Sequence, residues 1–109
     1  MSSGPAVLPE LEEQTESRTR HQPPYHVILL DDDDHTFEYV AIMLLDLFAH
    51  PLETGYRLAE EVHKTGRAIV CTTSLERAEL KQEQIHAYGP DPLSTHSKGS
   101  MSAVIEPAE

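Results

Sequence analysis

The amino-acid sequence predicts an α+β domain of two layers, a three-stranded sheet packed on three helices in the order βααβαβ, with a disordered N-terminal arm ahead of it. Three observations predict this. Val27-Ile28-Leu29-Leu30 is an unbroken apolar run that passes straight into Asp31-Asp32-Asp33-Asp34, which reads as a buried strand ending at an acidic turn. Apolar residues at three-and-four spacing from Phe37 to Phe48 read as a helix with one buried face. The 109 residues are 39% hydrophobic but only 6% aromatic, enough for one domain with a modest aliphatic core and not for two.

Residues 1–24 carry Pro5, Pro9, Pro23 and Pro24 among Ser, Thr, Glu and Gln, with few apolar groups to offset the entropy of ordering them. They form the expected arm, and 25–109 the core domain. The first strand runs from Tyr25 to about Asp31. Thr36 is a suitable cap for the first helix, whose inward positions are Phe37, Val40, Met43, Leu44, Leu47 and Phe48. His50-Pro51 ends it, because a residue before proline avoids the α region. The second helix covers Leu52 to about Lys64, with Gly66 as its stop. Arg67 to Thr72 is the second strand. Thr73-Ser74-Leu75-Glu76 has the pattern of a capping box and opens a third helix, which runs to Tyr88 and is stopped by Gly89-Pro90. Residues 89–100 form a polar loop, and Met101 to Ile105 a short third strand.

Charge narrows the function classes. A net charge of −11 repels phosphate backbones, which argues against nucleic acid and anionic membrane as partners. It suits a cationic ligand or a partner with a basic face. The single Cys71 excludes an intramolecular disulfide and a cysteine-built zinc site, and fits a reducing compartment. No apolar run approaches the roughly 20 residues that span a bilayer, and the N-terminus has no secretory pattern, so a cytoplasmic location is expected.

The acidic turn has two readings. It is either a solvated turn before a helix N-terminus that favours negative charge, or a site for a cation. A phospho-accepting receiver domain needs five βα units and an aspartate after a later strand, yet no Asp occurs between Asp46 and Asp91. A calcium loop wants alternating ligands and a glycine at its sixth position, and neither is present. The Glu-x-x-His spacings at Glu60–His63 and Glu83–His86 suit a di-iron bundle of four helices, which three helices and a sheet do not build, so no metal site is expected. Cys71 sits mid-strand, no Gly-x-Ser-x-Gly occurs, and the glycines are scattered, so no catalytic residues and no cofactor are expected either. His63 remains, on the last turn of the second helix, where it is able to face the acidic turn. Carboxylates and an imidazole acceptor beside apolar groups suit an ammonium group and the side chain next to it.

Three ordered motifs carry a family resemblance: Val27-Ile28-Leu29-Leu30-Asp31-Asp32-Asp33, then Phe37-Glu38-Tyr39-Val40, then Val62-His63-Lys64-Thr65-Gly66-Arg67-Ala68-Ile69. Together they resemble the Clp protease adaptor family ClpS, which recognises the N-terminal residue of N-degron substrates. The resemblance covers residues 25–88 well and the last strand loosely. It implies that Asp31, Asp32 and His63 hold the peptide α-ammonium, and that Asp33 and His35 position the turn and meet the first peptide unit. It further implies a side-chain pocket of Phe37, Val40, Ala59, Val62 and Met101. Glu76 and Lys81 match charged positions of the docking face for the N-terminal domain of a ClpA- or ClpC-type AAA+ ATPase, which the arm would also engage. Asp31 stands where the family usually has Asn, and Ala59 where relatives often carry a larger residue. The implied protein is a monomeric, non-enzymatic adaptor that delivers N-degron proteins. The alternative is a small domain that binds the ATPase without reading N-termini.

Overall fold

The computed structural model describes residues 22–109; the expected arm lies, up to residue 21, outside them. Six elements follow in the expected order: β1 (Tyr25–Leu30), α1 (Phe37–Phe48), α2 (Leu52–Thr65), β2 (Arg67–Thr73), α3 (Leu75–His86) and β3 (Ala103–Pro107). The sheet is antiparallel throughout, in the order β2-β1-β3. The most apolar strand is thus the central one, flanked on both sides, and Val27, Ile28 and Leu29 are all buried. On one face Val27 and Leu29 join Met43, Leu44, Val62, Ala78 and Ile85 in the core. On the other, Ile28 lies between Ile69 and Val104, and the Arg67–Glu106 ion pair joins the two outer strands. Between Val27 and Ile28 the register with β2 slips by one residue, leaving Val70 as the extra residue of a bulge.

The two first helices form a tight hairpin. A Cβ on Gly55 would lie 2.9 Å from the Ala41 Cα, so only glycine permits this approach. Thr36 caps α1 by accepting from the Tyr39 N–H. The helix ends at Phe48, two residues before His50, because Ala49 turns into the left-handed region at φ 59° and its N–H returns to Leu44 and Leu45. Gly66, at φ 92°, stops α2 as expected.

Three boundaries differ from expectation. Ser74 is the cap of α3 and accepts from the Arg77 N–H; the third helical position is therefore Arg77 and not Glu76, and the capping box does not close. The helix stops at His86, short of Tyr88. The third strand starts at Ala103 and not at Met101. Pairing of Leu29 with Ala103 fixes the register, and Gln82 and His86 of α3 hold the Ala103 carbonyl and N–H on the outer edge. Met101 is released from the ladder and buries its side chain, 3% exposed.

Candidate functional site: an acidic pocket at the end of the central strand

β1 ends at the mouth of a pocket, and the turn that follows is built by its own aspartates. The Asp31 N–H still pairs with the Gly66 carbonyl, which fixes the end of β1 to the end of α2. Asp32 then accepts from the Asp34 N–H at 3.0 Å, closing a side-chain turn that puts Asp33 in the left-handed region at φ 64°. Asp tolerates that conformation better than most residues. Thr36 restarts regular structure as the cap of α1, aiming Phe37 and Val40 at the pocket.

The structure gathers Asp31, Asp32, Asp33, His35, Phe37, Val40, Ala59, Val62, His63 and Met101 around a single pocket of about 140 Å³. These are the ten residues expected from the sequence to meet the peptide. The volume is well below the roughly 300–1,000 Å³ of a drug-sized ligand site and suits one side chain. Val40, Ala59, Val62 and Met101 are buried walls. Phe37 is 39% exposed and meets the His63 ring edge-on, with centroids 5.6 Å apart, so the two stand together at the rim.

Within the rim the carboxylates are not equivalent. Acceptor atoms of Asp31, Asp33 and His63 lie within 4.8 Å of one another. The Asp32 carboxylate lines the same pocket but is engaged elsewhere: it takes the His35 Nδ1–H at 2.8–2.9 Å as well as the Asp34 N–H. Asp33 is thus the second carboxylate beside Asp31 and His63, and Asp32 stands behind it in the same pocket lining. Atoms no more than 4.8 Å apart leave a point within about 2.8 Å of all three, the reach of a charge-assisted N–H···O bond. Three acceptors at that distance match the three donors of an ammonium group.

The expected docking residues Glu76 and Lys81 differ in exposure. Glu76 is exposed on the first turn of α3. Lys81 is half-buried: its ammonium donates to the Leu47 carbonyl at the end of α1 and lies 5.3 Å from the centre of the Phe48 ring. It satisfies one of the carbonyls that a helix end leaves free.

Sequence reasoning missed Asp91, the one buried charged residue among those described, 2% exposed. It accepts the Thr36 N–H at 2.6 Å and the Leu93 N–H at 2.8 Å. Burial pushes its carboxyl upward, but the Thr36 and Leu93 N–H groups, the Thr36 hydroxyl and the charge of His35 outweigh it and hold the group below its usual value. The only signal was an aspartate between two prolines in a loop, which marks a turn and nothing more.

Against known proteins, residues 20–100 match the family described as "ATP-dependent Clp protease adaptor protein ClpS". The chain belongs to the ClpS family. The adaptors of the cyanobacteria Thermosynechococcus vestitus and Nostoc sp. are 37% and 40% identical over 74% and 82% of this chain, and the matches span 85% and 91% of those relatives. Among solved structures, ClpS2 of Agrobacterium tumefaciens bound to L-phenylalaninamide superimposes with a TM-score of 0.68 at 27% identity, covering 78% of this chain and 96% of that one. The ClpS match ends at residue 100, so Met101 and β3 lie beyond it. No helix among the described residues is long and apolar enough to cross a membrane.

Proposed function

We propose that this ClpS-family adaptor reads the first residue of N-degron proteins, taking its free α-amino group at Asp31, Asp33 and His63 and its hydrophobic side chain in the pocket beneath. The acceptor triangle above an apolar pocket carries this reading. The ligand of the Agrobacterium relative, L-phenylalaninamide, has the same two features side by side: an α-amino group and an apolar side chain. Asp32 adds negative charge behind the triangle, and Phe37 and His63 flank the entry. In this reading recognition is by charge, donors and shape, and the adaptor carries its ligand without reacting with it. An intact pocket also disfavours a domain that binds the ATPase without reading N-termini.

The partner is the N-terminal domain of a ClpA- or ClpC-type ATPase, met at α3 with Glu76 and Lys81, and the adaptor acts as a cytoplasmic monomer. A single unpaired thiol fits a reducing compartment, and a net charge of −11 opposes self-association.

The test is a pair of short peptides with Leu first, one with a free N-terminus and one acetylated. Each lost charge-assisted hydrogen bond costs about 1.5–3 kcal/mol, so acetylation is expected to weaken binding at least a hundredfold. Equal affinity for both would end this reading of the pocket.

A further inference from the structure

We propose that the 89–100 loop is a brace for amine recognition, in which Asp91 and His35 are positioning residues that hold the acidic turn in its ligand-ready shape. The proposal rests on the reading of Asp31, Asp33 and His63 as the ammonium site.

The brace is a continuous chain of contacts. His35 is almost fully buried, its side chain 3% exposed, and its ring stacks on Tyr39 with centroids 4.6 Å apart. Both of its nitrogens face acceptors: Nδ1 the Asp32 carboxylate, and Nε2 the Gly99 carbonyl at 2.7 Å. The ring is thus wedged between the turn and the loop, with one nitrogen on each. Ser97 Oγ stands 3.3 Å from both Nε2 and the Gly99 oxygen and receives the Asp91 N–H at 2.8 Å. Asp91 closes the circuit by accepting the N–H of Thr36, the residue after His35. The loop thus grips the turn on both sides of one peptide bond. Its ends are held too, since Tyr39 donates to the Gly89 carbonyl and the Gly89 N–H donates to Ser100, beside the pocket wall Met101.

The turn needs such a hold. Four consecutive carboxylates repel one another, and the two that would meet the ligand, Asp31 and Asp33, bring acceptor atoms within 4.8 Å of each other. Asp32 is the internal strut, through its bond to Asp34, and among the described residues the His35 ring is the side chain that pairs with its carboxylate. Without the His35 ring, Asp32 is free to turn outward, the side-chain turn opens, and Asp33 leaves the triangle. The loop contributes no atom to the triangle itself; it acts through His35.

The experiment measures dissociation constants of free-amine peptides with Leu or Phe first for the full chain and for His35→Gln, Asp91→Asn and the double variant, with the acetylated peptides as controls. His35→Gln is expected to weaken both free-amine peptides at least about tenfold, the loss of one charge-assisted bond. The Leu-to-Phe affinity ratio should stay unchanged, because the side-chain pocket is untouched. Asp91→Asn should weaken both peptides in the wild-type background and have no further effect in the His35→Gln background, the non-additivity of two groups that act in series. A purely structural role would not produce that coupling at a temperature where all variants are folded. Amine-selective binding that survives His35→Gln, or additive losses, overturns the brace alone. Wild-type protein that binds acetylated peptides equally overturns the ammonium reading first and the brace with it. Should His35→Gln fail to fold, Asp91→Asn and Ser97→Ala carry the test, and unchanged affinity in both overturns the brace.

Discussion

Ala59 is the smallest side chain lining the pocket, buried on α2 between the rim residue His63 and the hairpin contact at Gly55. Its size leaves room that a longer residue would occupy. Ala59→Met is therefore expected to weaken peptides with Phe or Trp first by roughly tenfold and those with Leu less, the scale on which pockets discriminate by a few methylenes. A peptide array varying only the first residue checks it, and equal losses for Leu and Trp would move Ala59 away from the gate. At this scale the sequence was a good guide to which residues meet and a poorer one to how they are bonded to one another. Alternation and helical spacing put Phe37, Val40, Val62 and His63 at one end of the domain because local geometry alone decides their direction. The bonding of Asp32 and the placement of Asp33 were not legible, since they depend on the left-handed backbone at Asp33 and on a bond from His35. Asp91 was invisible for a similar reason: its burial comes from a non-periodic loop docking on α1.

Between elements, two contacts set how the helices sit, and each has a measurable consequence. The α1–α2 hairpin closes on Gly55, where any side chain meets the Ala41 backbone. Gly55→Val should lower unfolding stability by about 2 kcal/mol or more, overpacking that the small gain in helix propensity does not offset. A denaturant midpoint indistinguishable from wild type would mean the helices part freely. At the other end, Tyr88 follows α3 and donates to the Asp46 carboxylate of α1, with its ring edge-on to Tyr39. Burial first, and then the bond to Asp46 and its charge, push the phenol up to about 12. A raised phenol favours the folded state while it is protonated. That contribution is complete below the unfolded value of about 10 and is lost as pH rises from there through the folded value. Tyr88→Phe should thus flatten the alkaline decline in stability, read as the melting temperature from pH 8 to 11; an unchanged slope would mean that the phenol does not hold α3 to α1. The strand and helix order was readable because it rests on periodicity. The start of β3 was not, because the Leu29–Ala103 pairing and the grip of Gln82 and His86 choose it.

For the whole molecule, the question is what the first 21 residues add to a domain that is complete without them. Among the described residues, 22–109, lie the six elements, a core and the pocket lining expected from the sequence. β1 begins at Tyr25, at the end of the strand remote from Asp31, so the chain before it joins the domain on the side away from the ligand. The composition of residues 1–20, rich in Glu, Ser and Thr and with few apolar groups, gives little surface to bury. Deleting residues 2–20 is therefore expected to leave the thermal midpoint and the peptide dissociation constant unchanged. If the arm engages the ATPase during delivery, the same deletion should slow degradation of an N-degron reporter by the Clp complex without changing how tightly the adaptor holds that reporter. Binding and turnover measured side by side separate the two roles. A truncated protein that binds peptide more weakly would tie the arm to the pocket, and one that delivers at the wild-type rate would leave the arm without a part in handover.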